Sequence, residues 1–279
     1  MSEELPLARL HRVEQIMGMP IVLDVYDEDV EEAVLQRAFD WLRRVDATFS
    51  TYRPDSEISR LGRGELDLER CSPAVRSVLA RCERLRRATA GYFDHRAAAT
   101  WGAGGAASAR HPPGKPRAGD SRAVDPSGLV KGWSIDGVAR ILERAGASNY
   151  CAEAAGDMRL KGHPDGSSHW HVGIQHPVRR DRVAAVFAVD EGAIATSATY
   201  ARGQHIVDPH TGSAPSGVSS VTIIGAGELA TADAYATAVF AMGRAGADWA
   251  ACHIEPYEAF IVYDDTVLAT PGLARWRLA

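Results

Sequence analysis

No CxxC pair occurs in this sequence, and its four cysteines, Cys71, Cys82, Cys151 and Cys252, are widely spread. A cysteine zinc knuckle and a dithiol redox centre are therefore not expected, and packed thiols in a reducing compartment are the economical reading. An excess of basic residues is missing too: the formal net charge is -5 and the pI about 6.1. That balance excludes a nucleic-acid binder working through a general positive field, though not a small phosphorylated ligand held by a few local donors. No apolar run approaches transmembrane length, and the opening MSEELPLARLHRVEQ contains no apolar stretch of the secretory kind. The expectation is a cytoplasmic chain without membrane insertion. No HExxH occurs among the ten histidines, so no zinc site is expected, and GxxxxGK[ST], GxSxG and any fixed-period repeat are absent.

What is present is enough apolar content, 46% over 279 residues, for a substantial core in one or two lobes. Residues 13–26 alternate partially and are broken by Gly18 and Pro20, which predicts a bent or paired strand. Apolar positions at Val34, Ala38, Trp41, Leu42, Val45 and Phe49 predict a helix. A second is bounded by Ser72 as N-cap, Pro73 in the first turn and Gly91 beyond the end. Residues 95–123 are rich in Ala, Gly, Pro and Arg and read as a loop. Beyond them the pattern predicts a helix over 135–144, strands over 150–160, 170–175, 183–189 and 218–224, a small-residue helix over 229–242, and strands over 259–263 and 266–269. Helices and strands mix without strict βαβ alternation, so the fold class is α+β, with mixed sheets and packed helices.

Five segments carry chemistry. VDPSGLVKGWSID, residues 124–136, sets Asp125, Gly128, Lys131 and Gly132 in a predicted turn before a helix, where backbone N–H groups and a cation could meet an anion; a plain turn explains it equally well. In ATADAYATAVFAMG, Asp233 and Thr237 lie four apart and share a helical face, offering hard oxygens suited to Mg²⁺, or else an exposed helix-start charge and a small core filler. QHIVDPHTG places His205, which can exchange a proton near neutral pH, beside an Asp208–Pro209 turn. STYRPDSEISRLG and GYFDHR hold Tyr52, Phe93 and Asp94, two rings able to lie on an aromatic ligand and one acceptor.

The order of these segments resembles the ApbE flavin transferase family. MGM at Met17, STYRPDSEISRL at Ser50, GYFD at Gly91, VDPSGLVKGWSID at Val124, AAGDMRLKG at Ala154, WHVGIQHP at Trp170, AIATSATY at Ala193, HIVDPHTG at His205 and TADAYATAVFAMG at Thr231 carry it. The resemblance implies a transferase domain over residues 13–272, preceded by an extension over 1–12. It implies transfer of FMN from FAD to a Thr or Ser hydroxyl of a target flavoprotein, with Mg²⁺ and release of AMP. Two other outcomes share the site, a Mg²⁺-dependent FAD pyrophosphatase and a non-catalytic flavin binder. Met17, Tyr52, Phe93, Asp94, Asp125, Lys131 and Asp157 are similar to positions lining the family's FAD site. Asp233, Thr237 and a carbonyl of the Gly128 turn are similar to its Mg²⁺ ligands, and His205 to its histidine near the scissile phosphate. Where the family usually has Gly-Gly-Asp, this chain has Ala155, Gly156 and Asp157, and the stretch before Ala123 is short.

Overall fold

A computed structural model of the chain describes residues 8–97, 124–164, 169–199, 206–264 and 266–276. Strands β1 (Leu10–Ile16), β2 (Met19–Val25), β3 (Tyr150–Ala154), β4 (Asp157–Lys161), β5 (Trp170–Gln175), β6 (Val183–Val189), β7 (Gly192–Ala198), β8 (Val218–Gly225), β9 (Tyr257–Tyr263) and β10 (Val267–Ala269) are joined by helices α1 (Glu32–Phe49), α2 (Glu57–Gly62), α3 (Pro73–Ala88), α4 (Ser127–Arg144), α5 (Leu229–Ala241) and α6 (Gly246–His253). Among the described residues all strand pairings are antiparallel: one eight-stranded sheet runs β1-β2-β3-β4-β7-β8-β9-β10, and β5-β6 forms a separate ribbon. The α+β expectation holds.

The central strands are apolar on both faces because both are covered. Ala259, Ile261 and Tyr263 of β9 join the core under α1, α4 and α5, whereas Phe260 and Val262 join Val172, Ile174 and Phe187 of the ribbon on the other side. Each large side chain so buried contributes about 1.5–3 kcal/mol. Strand β7, GAIATSA, is small and unalternating for the same reason, and period-two reasoning passed over it. α5 is buried nearly all round, and its alanines let it lie between the sheet and the α3–α4 layer.

Two hairpins turn at the same end of the sheet. Met17 and Gly18 have φ of 55° and 73°, and Ala155 and Gly156 have 50° and 89°, the signs required by a two-residue turn whose twist matches its strands. Pairing of Ile21 with Ala154, and the Ala155 N–H donated to the Pro20 carbonyl at 3.3 Å, bring both turns together. The predicted strand over 150–160 is thus a hairpin, β3–β4, broken where Ala155 enters the left-handed region. A left-handed alanine costs roughly 1–2 kcal/mol and a glycine's extra chain entropy about 0.5–1. Ala155→Gly is therefore expected to stabilise the fold by about 0.5–1 kcal/mol, read as a raised denaturant midpoint at unchanged slope.

Candidate active site

The segment 124–136 is not a turn ahead of a helix. It forms the first turns of α4, which begins at Ser127, so Gly128, Lys131 and Gly132 are helical. Its glycines serve packing: a Cβ on Gly132 would stand 2.6 Å from the Leu229 carbonyl oxygen and 2.7 Å from the Ala230 nitrogen, and neither backbone atom can move aside. α4 and α5 therefore cross in backbone contact at Gly132. Four residues on, buried Asp136 accepts hydrogen bonds from the Leu229 and Ala230 N–H groups, both at 2.9 Å, and caps α5 from the neighbouring helix. Burial pushes this carboxyl upward against those two bonds. Asp136→Ala strands two buried donors and is expected to cost about 2–4 kcal/mol. Asp136→Asn keeps one acceptor and should cost less; thermal unfolding of both variants checks the order.

The crossing holds three charges. The Lys131 ammonium lies 2.5 Å from Asp157 Oδ2 and 3.5 Å from Asp233 Oδ1. Asp157 projects from the start of β4 toward the helices, and its Oδ1 accepts the Thr196 N–H at 3.0 Å. Asp233 Oδ2 accepts the Gly132 N–H at 3.3 Å. Both carboxylates are almost fully buried, Asp157 at 1% and Asp233 at 4% exposed, so the exposed helix-start reading of Asp233 is overturned. Desolvation pushes the Asp233 carboxyl up to about 7, with Asp157 adding repulsion and Lys131 opposing it. Two carboxyl groups facing one ammonium leave a surplus acidic group in a buried place, which desolvation holds back from ionising until a cation joins it. That surplus suits a further cation, and the oxygen donors suit a hard one.

One helical turn away, the same crossing brings Gly128 to Thr237: a Cβ at Gly128 would lie 3.7 Å from Thr237 Oγ1 and 3.3 Å from the Phe93 ring. Phe93 is only 3% exposed, so it backs the site rather than presenting an open face. Asp94 Oδ1 accepts the Arg96 N–H, and Asp125 Oδ1 accepts the Ser127 N–H ahead of α4. The Asp125 N–H donated to the His95 carbonyl at 2.7 Å ties these two segments together. Met17 stands at the hairpin tip, packed against the core on both sides of α4. Tyr52 lies on the segment between α1 and α2 and is 60% exposed. His205 lies outside the described residues. The DPHTG segment that follows is the expected turn, with Asp208 accepting from the His210 N–H and the Thr211 hydroxyl, and His210 packs edge-on against Tyr92 of GYFD, centroids 4.6 Å apart. Asp136 and Thr196, which fix α5 and Asp157, went unrecognised in the sequence because their partners are remote along the chain.

The ordered motifs and this crossing have counterparts in known proteins. The sequence model of the ApbE family matches residues 17–261. The chain belongs to the ApbE family. It is 37% identical over 131 residues to the FAD:protein FMN transferase of Vibrio cholerae, a match spanning 43% of this chain and 39% of that protein's own length. With the Haemophilus influenzae FAD:protein FMN transferase it shares 29% identity over 246 residues, 73% of this chain and 70% of the relative. The solved flavin transferase ApbE from Vibrio cholerae superimposes with a TM-score of 0.80 at 26% identity, covering 96% of this chain and 98% of that one. The ApbE protein of Thermotoga maritima gives 0.79 over 97% and 99% of the two chains; at 23% identity that likeness concerns the fold. No helix among the described residues of this ApbE chain is long and apolar enough to cross a membrane.

Proposed function

We propose that this chain, through a domain over residues 13–272, transfers FMN from FAD to a Thr or Ser hydroxyl of a target flavoprotein and releases AMP. The observation that carries the reading is the buried Lys131–Asp157–Asp233 group, with two carboxyl groups to one ammonium, one helical turn from the Gly128–Thr237 contact. Its chemistry suits a site that gathers a cation and a pyrophosphate. The names of the Vibrio and Haemophilus relatives support the same reaction. The four free cysteines suit a reducing, cytoplasmic setting.

Asp233, Thr237 and the Gly128 carbonyl would hold Mg²⁺. An α-helix aims the Gly132 N–H at that carbonyl, and here the same N–H is drawn toward Asp233. When bound, Mg²⁺ would polarise the pyrophosphate and neutralise charge on the departing AMP. Lys131 holds the two carboxylates in register and brings a positive charge to the phosphate side. Asp94 and Asp125 keep acceptor capacity for N–H and hydroxyl groups of the dinucleotide. Tyr52, exposed, would cover the flavin, and Phe93 and Met17 would supply the wall. In the transfer, the acceptor oxygen forms a bond to the FMN-side phosphorus while that phosphorus loses its bond to the bridging oxygen, which leaves with AMP. The hydroxyl proton passes to His205 acting as base.

Incubation with FAD and Mg²⁺, with and without a threonine-bearing acceptor protein, tests the reading. AMP release together with acceptor-bound flavin fluorescence is the expected result. AMP without labelling in the presence of the true acceptor would assign a pyrophosphatase, and FAD binding with no AMP a carrier.

A further inference from the structure

His163, His169 and Asp190 meet at the far side of the sheet from the α4–α5 crossing's helices, where β4 hands over to the β5–β6 ribbon. One ligand atom of each lies within 4.8 Å of the other two. His169 Nδ1 contacts Asp190 Oδ1 directly, and His163 Nδ1 lies 3.7 Å from the same oxygen. The two imidazole rings are 6.0 Å apart, centre to centre. The absence of HExxH gives no expectation of zinc, and the one HxH, His169-Trp170-His171, is not the pair that meets here. The histidines are six residues apart, and the carboxylate comes 21 residues after the second one.

Backbone geometry holds the three positions before any ion arrives. Trp170 pairs with Val189, so the register of β5–β6 sets His169 opposite Asp190. Trp170 also donates its indole N–H to the Lys161 carbonyl at 3.2 Å, pinning the ribbon to the end of β4. His163 follows Gly162, whose φ is 66° and whose missing side chain would otherwise strike Asn149 Oδ1 and the Ser148 carbonyl oxygen, both at 2.3 Å. The His163 N–H donates to that same Asn149 Oδ1 at 3.0 Å, and Asn149 is fixed in turn by Asp27.

We infer that His163, His169 and Asp190 form a binding site for a borderline divalent transition cation, with Zn²⁺ the best match. Two imidazole nitrogens and one carboxylate oxygen are zinc donors, whereas Mg²⁺ favours an all-oxygen set. Zinc bonds of about 2 Å in a tetrahedron put ligand atoms roughly 3–4 Å apart, a spacing reached here by small side-chain rotations. The three side chains are between one-third and three-fifths exposed, which leaves the fourth position to water. The bound ion would staple the ribbon to the main sheet, a role separate from the proposed transfer site and its oxygen ligands.

The test is Zn²⁺ titration of the full chain in saturating Mg²⁺, by calorimetry and by thermal unfolding, with Co²⁺ absorption as a spectroscopic probe of nitrogen ligation. Wild type is expected to take up one Zn²⁺ that the double variant His169→Gln/Asp190→Asn does not. At a Zn²⁺ concentration a hundred times its Kd, the wild-type unfolding midpoint should rise by roughly 5–10 °C, with no such rise in the variant. His163→Gln alone should weaken uptake at least tenfold. All three positions are part-exposed, and circular dichroism verifies that the variants remain folded. No Zn²⁺ uptake by the wild type, or equal uptake and equal midpoint shift in wild type and double variant, overturns the site.

Discussion

Asp233→Ala is expected to lower Mg²⁺-dependent AMP release from FAD by about 10³-fold or more, at or beyond the roughly 10²–10³ typical for losing one preorganised electrostatic partner. The reason is its position. Asp233 is a buried carboxylate that shares a helical face with Thr237 and faces Lys131 and Asp157 across the crossing, and Mg²⁺ takes few protein ligands. The fold should survive, because alanine continues a run already made of Ala232, Ala234 and Ala236, and because Lys131 retains Asp157 as its partner. Removing a carboxylate whose charged form is disfavoured by burial also relieves a cost. Unfolding midpoints and AMP release, measured side by side, separate the two effects: turnover of FAD at the wild-type rate would sink the metal assignment.

His205→Gln is expected to slow transfer by about 10²- to 10⁴-fold, the scale of general acid–base catalysis, with FAD affinity changed far less. The base must be neutral to accept the acceptor proton, so the wild-type rate should fall on the acid side as the imidazole protonates. Glutamine keeps hydrogen-bonding capacity without titrating, and the acid limb should vanish with it. A variant that retains most of the rate and the same acid limb would return His205 to a packing role beside the Asp208 turn. Positioning and charge neutralisation by Lys131, Asp233 and Thr237 would then carry the catalysis.

The lengths of α1 and α3 were legible because their signals are local. Ser72 caps α3 by accepting the Val75 N–H, with Pro73 in its first turn, as punctuation alone predicts. The first hairpin and the four-residue spacing of Asp233 and Thr237 were readable on the same terms. The segment 124–136 misled, since Pro126, Gly128 and Gly132 argue against a helix by propensity. Those glycines are present because α5 leaves no room for a side chain at Gly132 and Phe93 crowds Gly128. β7 and the β3–β4 turn were hidden by burial on two faces and by an alanine standing where turns favour glycine.

By itself the sequence determined the α+β class, the order of the motifs and hence the family, and the residue types available for chemistry; these depend on neighbours a few positions apart. Only the tertiary structure decided that Lys131 stands between Asp157 and Asp233, that Asp136 caps a helix whose first residue is Leu229, and that His163, His169 and Asp190 converge. Each of those pairings joins residues on different elements of the fold, most of them far apart in the chain. Their distances follow from how the helices cross and how the sheet is ordered, which spacing along the chain does not encode.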